Sequence, residues 1–330
     1  MDNLEIDFVI PWVDGSDQEW IQERRRFRED KSDDSVRFRD WNILKYWFRG
    51  VEKYASWVHA IYFVTWGHVP DWLNTDHPKL HIVKHNEYIP KQYTPTYSSH
   101  VIELNLHRIE DLSEHFVYFN DDFYLINKVE KSDFFIDNLP CDIAVLYPNH
   151  VNGFDCQFDH ILLNTNEFFA RNFDYKRLIK SNKKKWLNHR YGKNILKTLL
   201  MLPFPEFPGL MMHHQPQSFL KSVFFDVWND EPHLLDATCK NKFRSASDIN
   251  QYIMRYWQIG TGQFAPYNIM KRGTYASINE KTDYHKLFNS TLKVLALNDD
   301  DVNVEFESEK ERLVRAFQEK FPEKSSFEKE

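Results

Sequence analysis

The chain lacks most of the features that usually mark a nucleotide or metal site. Glycine is scarce, 9 in 330 residues, and no GxGxxG or Walker A run occurs. Neither of the usual glycine-rich phosphate cradles is therefore present. Cys141, Cys156 and Cys239 are odd in number and far apart, with no CxxC pair. A reducing compartment with free thiols is the simplest account. No apolar window of about 18 residues exists to span a membrane. The start, Met1-Asp2-Asn3-Leu4-Glu5-Ile6-Asp7, has neither the basic residues nor the long apolar stretch of a signal peptide. A cytoplasmic location follows as the expectation. Basic residues are in deficit, 42 against 49 acidic, for a formal charge of -7. With no global basic field, nucleic acid is not expected as a partner.

Aromatic side chains are what the chain has in excess. Ten Trp, 16 Tyr and 27 Phe make up 16% of it. They supply stacking surfaces for sugars or bases, and they equally supply a large core. The most informative stretch is His115-Phe116-Val117-Tyr118-Phe119-Asn120-Asp121-Asp122-Phe123. An apolar segment ends in an amide and two carboxylates. Acidic side chains at the carboxyl end of a strand are a common way to hold a divalent metal against a phosphate. An Asn-Asp turn explains the same residues without any ligand.

Strand-like runs recur at 8–13, 60–65, 80–85 and 116–119. Helical spacing covers Gln18 to Arg28, Asp40 to Tyr54 and Ser98 to Ile109. Strands separated by helices predict an α/β fold, a mainly parallel sheet flanked by helices. After Leu146 the pattern weakens. Residues 165–212 read as a basic and apolar helical insertion in a single catalytic domain spanning 1–330. Within it, Lys183-Lys184-Lys185 and Arg190 precede Ile195-Leu196 and Leu199 to Phe204. That combination fits peripheral contact of 183–205 with the inner face of a membrane. A helical insertion with a solvated lysine face fits it too. Near the carboxyl end, Leu313, Phe317 and Phe321 form an i, i+4, i+8 packing stripe.

Four clusters carry candidate chemistry. The first follows the first strand: Trp12 to stack on a base, Asp14 and Asp17 to accept from ribose or base, with Gly15 between them. An Asp-Gly turn beside a packed Trp is the competing account. In the second, Arg37 and Arg39 alternate and face one way in an extended segment, as a diphosphate requires. Farther on, Glu103 and His107 share a helical face with His100, but without the HExxH order of zinc proteases. The third is His213-His214-Gln215-Pro216 with Phe243-Arg244-Ser245. Adjacent histidines point in different directions, so one of them at most need be catalytic. The fourth is Leu297-Asn298-Asp299-Asp300-Asp301, a second Asn-Asp-Asp run after an apolar segment. Two such runs can converge on one metal.

In this order the clusters resemble the four conserved regions of the Stealth family of sugar-phosphate transferases. Ile6 to Asp17 matches the first region. Arg37-Phe38-Arg39-Asp40-Trp41, Pro70-Asp71-Trp72-Leu73, Leu106-His107-Arg108-Ile109 and Asn120-Asp121-Asp122 match the second. His214-Gln215-Pro216 and Phe243-Arg244-Ser245 match the third, and Leu297-Asn298-Asp299 with Phe321-Pro322-Glu323-Lys324-Ser325-Ser326-Phe327-Glu328 the fourth. The resemblance implies a GT-A-like nucleotide-sugar-binding fold. It implies transfer of a sugar-1-phosphate from a nucleotide sugar, a UDP-sugar by expectation, to a hydroxyl of a glycan or lipid-linked oligosaccharide. Its catalytic set maps to His214, Arg244, Asp121 and Asp122. Its donor contacts map to Trp12, Asp14, Gly15, Asp17, Arg37, Arg39 and His107. A divalent metal, Mg²⁺ or Mn²⁺, would fall to Asp121, Asn298 and Asp299. One departure is Trp66, where the family has a polar residue before the glycine matching Gly67. Two other readings stay open: a glycosyltransferase that releases a nucleoside diphosphate, and a non-catalytic glycan-binding protein.

Overall fold

Residues 4–28, 38–150, 157–299 and 304–329 are described by the computed structural model of the chain. Eleven short strands form among them: β1 Asp7–Pro11, β2 Ile61–Thr65, β3 Leu80–Lys84, β4 His115–Tyr118, β5 Phe123–Leu125, β6 Phe135–Ile136, β7 Leu139–Asp142, β8 Gln217–Leu220, β9 Ala265–Pro266, β10 Gly273–Ser277 and β11 Val294–Asn298. The central sheet runs β3-β2-β1-β4-β8. Its first four strands are parallel, and β8 closes one edge antiparallel to β4. Strands β1 and β2 are almost wholly apolar and buried, as strands covered on both faces must be. Helices flank the sheet, so the α/β expectation holds.

Asp7 fixes the amino end of this sheet. It has no exposure, yet its carboxylate accepts from the Ala60 and Ser113 amides at 3.1 and 2.7 Å and meets His59 Nδ1 at 2.8 Å. The segments entering β2 and β4 are thereby tied to β1, and the desolvated charge is satisfied.

Two smaller sheets were not legible beforehand. Strands β10 and β11 pair parallel, and β5 joins β11 antiparallel. Strand β7 lies between β6 and β9. The helix Leu44–Tyr54 bridges the layers. It begins four residues later than its apolar spacing indicated, because Asp40 spends its carboxylate on the Asn42 amide. At Gly50 the helix approaches the Leu125 carbonyl so closely that an added Cβ would lie 2.8 Å from it. Packed against this helix, the helix Phe306–Lys320 buries Leu313 and Phe317, with Phe321 just beyond; Phe317 stacks on Tyr46 and Phe321 meets Tyr54. Burying each such side chain contributes about 1.5–3 kcal/mol.

Residues between β7 and β8 are mainly helical: Gln157–Asn172, Tyr175–Ser181, Lys183–Trp186 and Ile195–Met201. Trp186 and Tyr191 anchor this region with no exposure. The Lys185 ammonium donates to the Gly262 and Phe264 carbonyls.

Candidate active site

From β1 the chain moves outward to β2 and β3, then returns to place β4 on the other side of β1. Such a reversal opens a crevice beyond the strand carboxyl ends, where open α/β sheets bind ligands. Because β8 runs against β4, with Gln217 opposite Tyr118, the residues entering β8 reach the same end. Three segments therefore meet there: Trp12 to Asp17, Asn120 to Asp122, and His213 to Pro216. A fourth arrives from the second sheet. Ala296 of β11 stands opposite Phe123, and the Leu297 amide donates to the Asp122 carbonyl at 2.9 Å. Asn298 thus ends β11 beside the Asp121-Asp122 turn, so the two Asn-Asp runs lie together.

His214 Nε2 is 2.9 Å from Asp122 Oδ2. A carboxylate only accepts, so Nε2 carries the proton and the neutral ring keeps its lone pair on Nδ1. The Phe123 ring meets the imidazole edge-on at 4.8 Å. Behind it, Gln215 donates to the Ile269 and Gly273 carbonyls, and Arg272 Nη2 donates to the Pro216 carbonyl at 2.7 Å. The imidazole therefore sits on fixed backbone. Asp122 Oδ1 is buried and has no hydrogen-bond partner among the described residues.

Asp121 plays a different part. It is exposed by area, yet nearby protein atoms desolvate its carboxyl. That desolvation, with the neighbouring Asp122 charge, pushes its carboxyl up to about 7, although Arg244 opposes the shift. The consecutive aspartates differ in their contacts: Asp122 holds the His214 imidazole, while Asp121 is exposed.

Arg244 donates through Nη2 to Ser99 Oγ at 2.8 Å. Its loop is held from beneath by Asp248, which has no exposure. Asp248 accepts from the Ser245 amide, Asn241 Nδ2 and His100 Nδ1 at 2.7 to 2.9 Å. His100 is thus a strut under the arginine loop and not part of a zinc face.

The helix Ser99–Leu104 brings a further carboxylate that the sequence reading passed over as part of that face. Glu103 is 4% exposed, and its Oε2 has no hydrogen-bond partner among the described residues. Burial, and after it the Glu103 charge, raises the phenols of Tyr118 and Tyr252. Asp121 acts on the same Tyr118 and Asp122 on the same Tyr252, so the three carboxylates are electrostatic neighbours of the same two tyrosines. Only the buried i+4 partner of a histidine hinted at this in the sequence.

Several donor-site expectations change. Arg39 and Asp299 engage each other: Nε meets Oδ2 at 2.9 Å, Nη2 meets Oδ1, and Trp41 Nε1 adds a third bond at 2.9 Å. Both Asp299 oxygens accept in this bidentate pair, which offsets the Arg39 charge. His107 lies at the far end of the sheet, 2% exposed, against Phe224, Phe225 and Trp228. Burial lowers its imidazole to about 3, and it does not face the cleft. Asp14 accepts from the Ser16 amide and hydroxyl, and Asp17 caps the helix Gln18–Phe27 through the Trp20 amide. Their sequence thus serves a turn and a cap. Gly15 is required by close packing, since an added Cβ would sit 2.2 Å from the Phe38 Cβ. Trp12 is half-buried beside Phe63 and His68 at the cleft rim. The departure at Trp66 is absorbed locally, its Nε1 donating to Glu23. Arg37, Asp300 and Asp301 lie outside the described residues.

For a divalent cation the fit is partial and specific. No three His, Cys, Asp or Glu side chains among the described residues gather as a metal cage. Asp121 and the unpartnered Asp122 Oδ1 nevertheless offer two carboxylates beside Asn298. One or two carboxylates completed by substrate phosphates and water is how Mg²⁺ is commonly held.

The Stealth protein conserved region 1 model matches residues 5–32 and the conserved region 2 model residues 37–141. A capsular polysaccharide phosphotransferase WcwK of Streptococcus pneumoniae is 42% identical over 336 residues, covering 100% of both chains. Exopolysaccharide phosphotransferase cps2G of Lactiplantibacillus plantarum is 38% identical, over 99% of this chain and 97% of its own. Receptor polysaccharide phosphotransferase WefC of Streptococcus gordonii is 37% identical over 98% of each. Among solved structures, the galactosyltransferase LgtC matches over 95% of each chain at 10% identity and a TM-score of 0.38, too slight a likeness to carry functional weight. Full-length identity at the level of the three phosphotransferases, together with the two matched regions that hold the strand-end aspartates, means that this chain belongs to the Stealth family.

Proposed function

We propose that this chain is a sugar-1-phosphate transferase of capsular or exopolysaccharide synthesis. It takes the sugar phosphate from a nucleotide sugar, a UDP-sugar by preference, and attaches it to a hydroxyl of a glycan or lipid-linked oligosaccharide. The observation that carries this reading is the His214–Asp122 pair, a base of defined tautomer at the sheet's switch point, bordered by Arg244 and the Asp121 carboxylate.

His214 Nδ1 takes the acceptor hydroxyl proton as the oxygen attacks the sugar-bearing phosphorus. Asp122 orients the ring and stabilises the imidazolium that forms. The bond from that phosphorus to the bridging oxygen breaks, and its electron pair leaves with the nucleoside monophosphate. Arg244 neutralises the phosphoryl oxygens as charge builds on them. Asp121, with Asp122 Oδ1 and Asn298, would hold Mg²⁺ or Mn²⁺. When bound, such an ion offsets the diphosphate charge and polarises the phosphoryl oxygen. Trp12, half-buried just past β1, would stack on the donor base.

The same Nδ1 lone pair can attack phosphorus itself and form a phosphohistidine. Rapid quench of the enzyme with labelled donor distinguishes the routes, because only the second leaves acid-labile label on the protein. The broader reading is tested by screening nucleotide sugars with Mg²⁺ or Mn²⁺ and identifying the nucleotide released. A nucleoside monophosphate is expected. A diphosphate would mean C1–O cleavage and an ordinary glycosyltransferase. Unchanged function in His214→Ala and Asp121→Asn would instead favour a glycan-binding protein.

A further inference from the structure

Between Tyr175 and Pro205 the chain carries nine Lys and Arg and no Asp or Glu, although the whole protein is net -7. The same region holds the densest exposed apolar surface among the described residues. Leu196, Leu199, Leu200 and Phe204 are 61, 45, 67 and 53% exposed. The three leucines occupy positions i, i+3 and i+4 of the helix Ile195–Met201 and so form one face. The opposite face is fixed to the body: Thr198 has no exposure, and its Oγ1 accepts from the Leu146 amide at 3.1 Å. The helix therefore lies flat with its leucines outward. Tyr147 borders them, 36% exposed, with the Lys197 ammonium 4.7 Å from its ring centre. Lys176, Arg177, Lys180, Lys183, Lys184 and Lys193, in the same stretch of chain, are exposed.

We propose that this face seats the protein on an anionic lipid bilayer, with Leu196, Leu199, Leu200 and Phe204 entering the headgroup boundary and the cations of the same stretch meeting lipid phosphates. The pattern is that of an in-plane element, with an apolar face and cations in the same stretch of chain, and not of a spanning helix. No helix among the described residues is long and apolar enough to cross a membrane. The structure also narrows the contact. Of the segment 183–205, Trp186 and Tyr191 are core residues and Lys185 is committed to carbonyls, so 195–204 forms the apolar contact. A single short connection leads from Phe204 to His214, and the Tyr147 amide donates to the Gly209 carbonyl along the way. Docking would thus place the cleft near the surface at which a lipid-linked hydroxyl is presented. The bilayer contact itself does not depend on the reaction assigned above.

The test is co-sedimentation of the full chain with vesicles of phosphatidylcholine, with and without about 30 mol % phosphatidylglycerol. Binding to the anionic vesicles is expected. Leu199→Ser/Leu200→Ser should weaken it by on the order of tenfold or more. Lys183→Gln/Lys184→Gln/Lys193→Gln should weaken it by about fivefold per charge, and high salt should mimic that loss. Circular dichroism and thermal melting should match the parent in both variants, as these side chains are exposed. No binding to anionic vesicles, or binding indifferent to both variants, overturns the proposal. So does a change in oligomeric state in the leucine variant with vesicle binding intact, which would make the face a contact between copies.

Discussion

His213 and His214 are adjacent in sequence, and each lies beside an aspartate, yet the protein uses them in opposite ways. His213 is 7% exposed and sits 3.8 Å from Asp142, whose carboxylate is already held by Arg255 through Nε and Nη2. Burial lowers the His213 imidazole to about 4, and both ring nitrogens lack hydrogen-bond partners among the described residues. His214 instead reaches an aspartate that pairs with no Lys or Arg among the described residues, and both side chains are partly exposed. A histidine beside a carboxylate is thus not a catalytic pair in itself. What matters is whether the carboxylate's charge is already spent and whether the second ring nitrogen can reach a ligand.

The sharpest way to break this contrast is to remove each partner in turn. His214→Ala and Asp122→Asn should each lower kcat by about 10²–10⁴. Melting temperature should stay close to the parent's, as measured by turnover and scanning calorimetry. His213→Ala should keep turnover within a few-fold. Equal losses at both histidines would erase the distinction.

Next in size is the buried pair. Asp142→Asn strands Arg255, whose guanidinium otherwise also donates to the Ile143 and Met211 carbonyls. A loss of about 3–5 kcal/mol in urea unfolding is expected. A loss below about 1 kcal/mol would mean that the pair is well solvated.

The pH profiles should diverge as well. His213 has a depressed pKa and is held neutral, so the unfolded chain binds its proton more readily. Its contribution to stability is present above the unfolded value and is lost as pH falls toward about 4. Asp121 has a raised pKa, so the folded chain holds its proton longer. Its contribution declines as pH rises from the ordinary carboxylate range to about 7. His213→Gln should remove the acid-side loss, and Asp121→Asn should remove the decline toward neutrality. Melting curves across this range, without added metal, read both. A profile unchanged in Asp121→Asn would show that the carboxyl titrates normally.

How much of this could be read beforehand differs by region. Strands β1 to β4 were legible because each is a short, largely apolar run. Strand β5 was not, because Phe123-Tyr124-Leu125 is only three residues long, too short a run to show a period. The pairing of β5 with β11 spans more than half the chain, and no local pattern encodes it. The Asn120-Asp121-Asp122 run, His214 and Arg244 stood out by residue type. The mutual neutralisation of Arg39 and Asp299 could not, since each alone looks like a ligand for phosphate or metal. Asp14 and Asp17 were ambiguous for a physical reason: the oxygens that suit a ribose also suit a turn and a helix cap.

The smallest expected effect concerns that Arg39–Asp299 pair. A double-mutant cycle with Arg39→Ala and Asp299→Ala should give a coupling of about 1–2 kcal/mol in stability. Each single variant should keep an unchanged Mg²⁺ dependence of turnover. A raised Mg²⁺ requirement in Asp299→Ala alone would return that carboxylate to the metal.

The central claim is that the acceptor oxygen attacks phosphorus and not sugar carbon. Its most direct measurement is ³¹P NMR of the product made from a nucleotide sugar and an acceptor whose hydroxyl carries ¹⁸O. A phosphodiester resonance shifted by bridging ¹⁸O, with nucleoside monophosphate released, is the predicted result. A product without phosphorus, its ¹⁸O bonded directly to the sugar carbon and nucleoside diphosphate in solution, would contradict it.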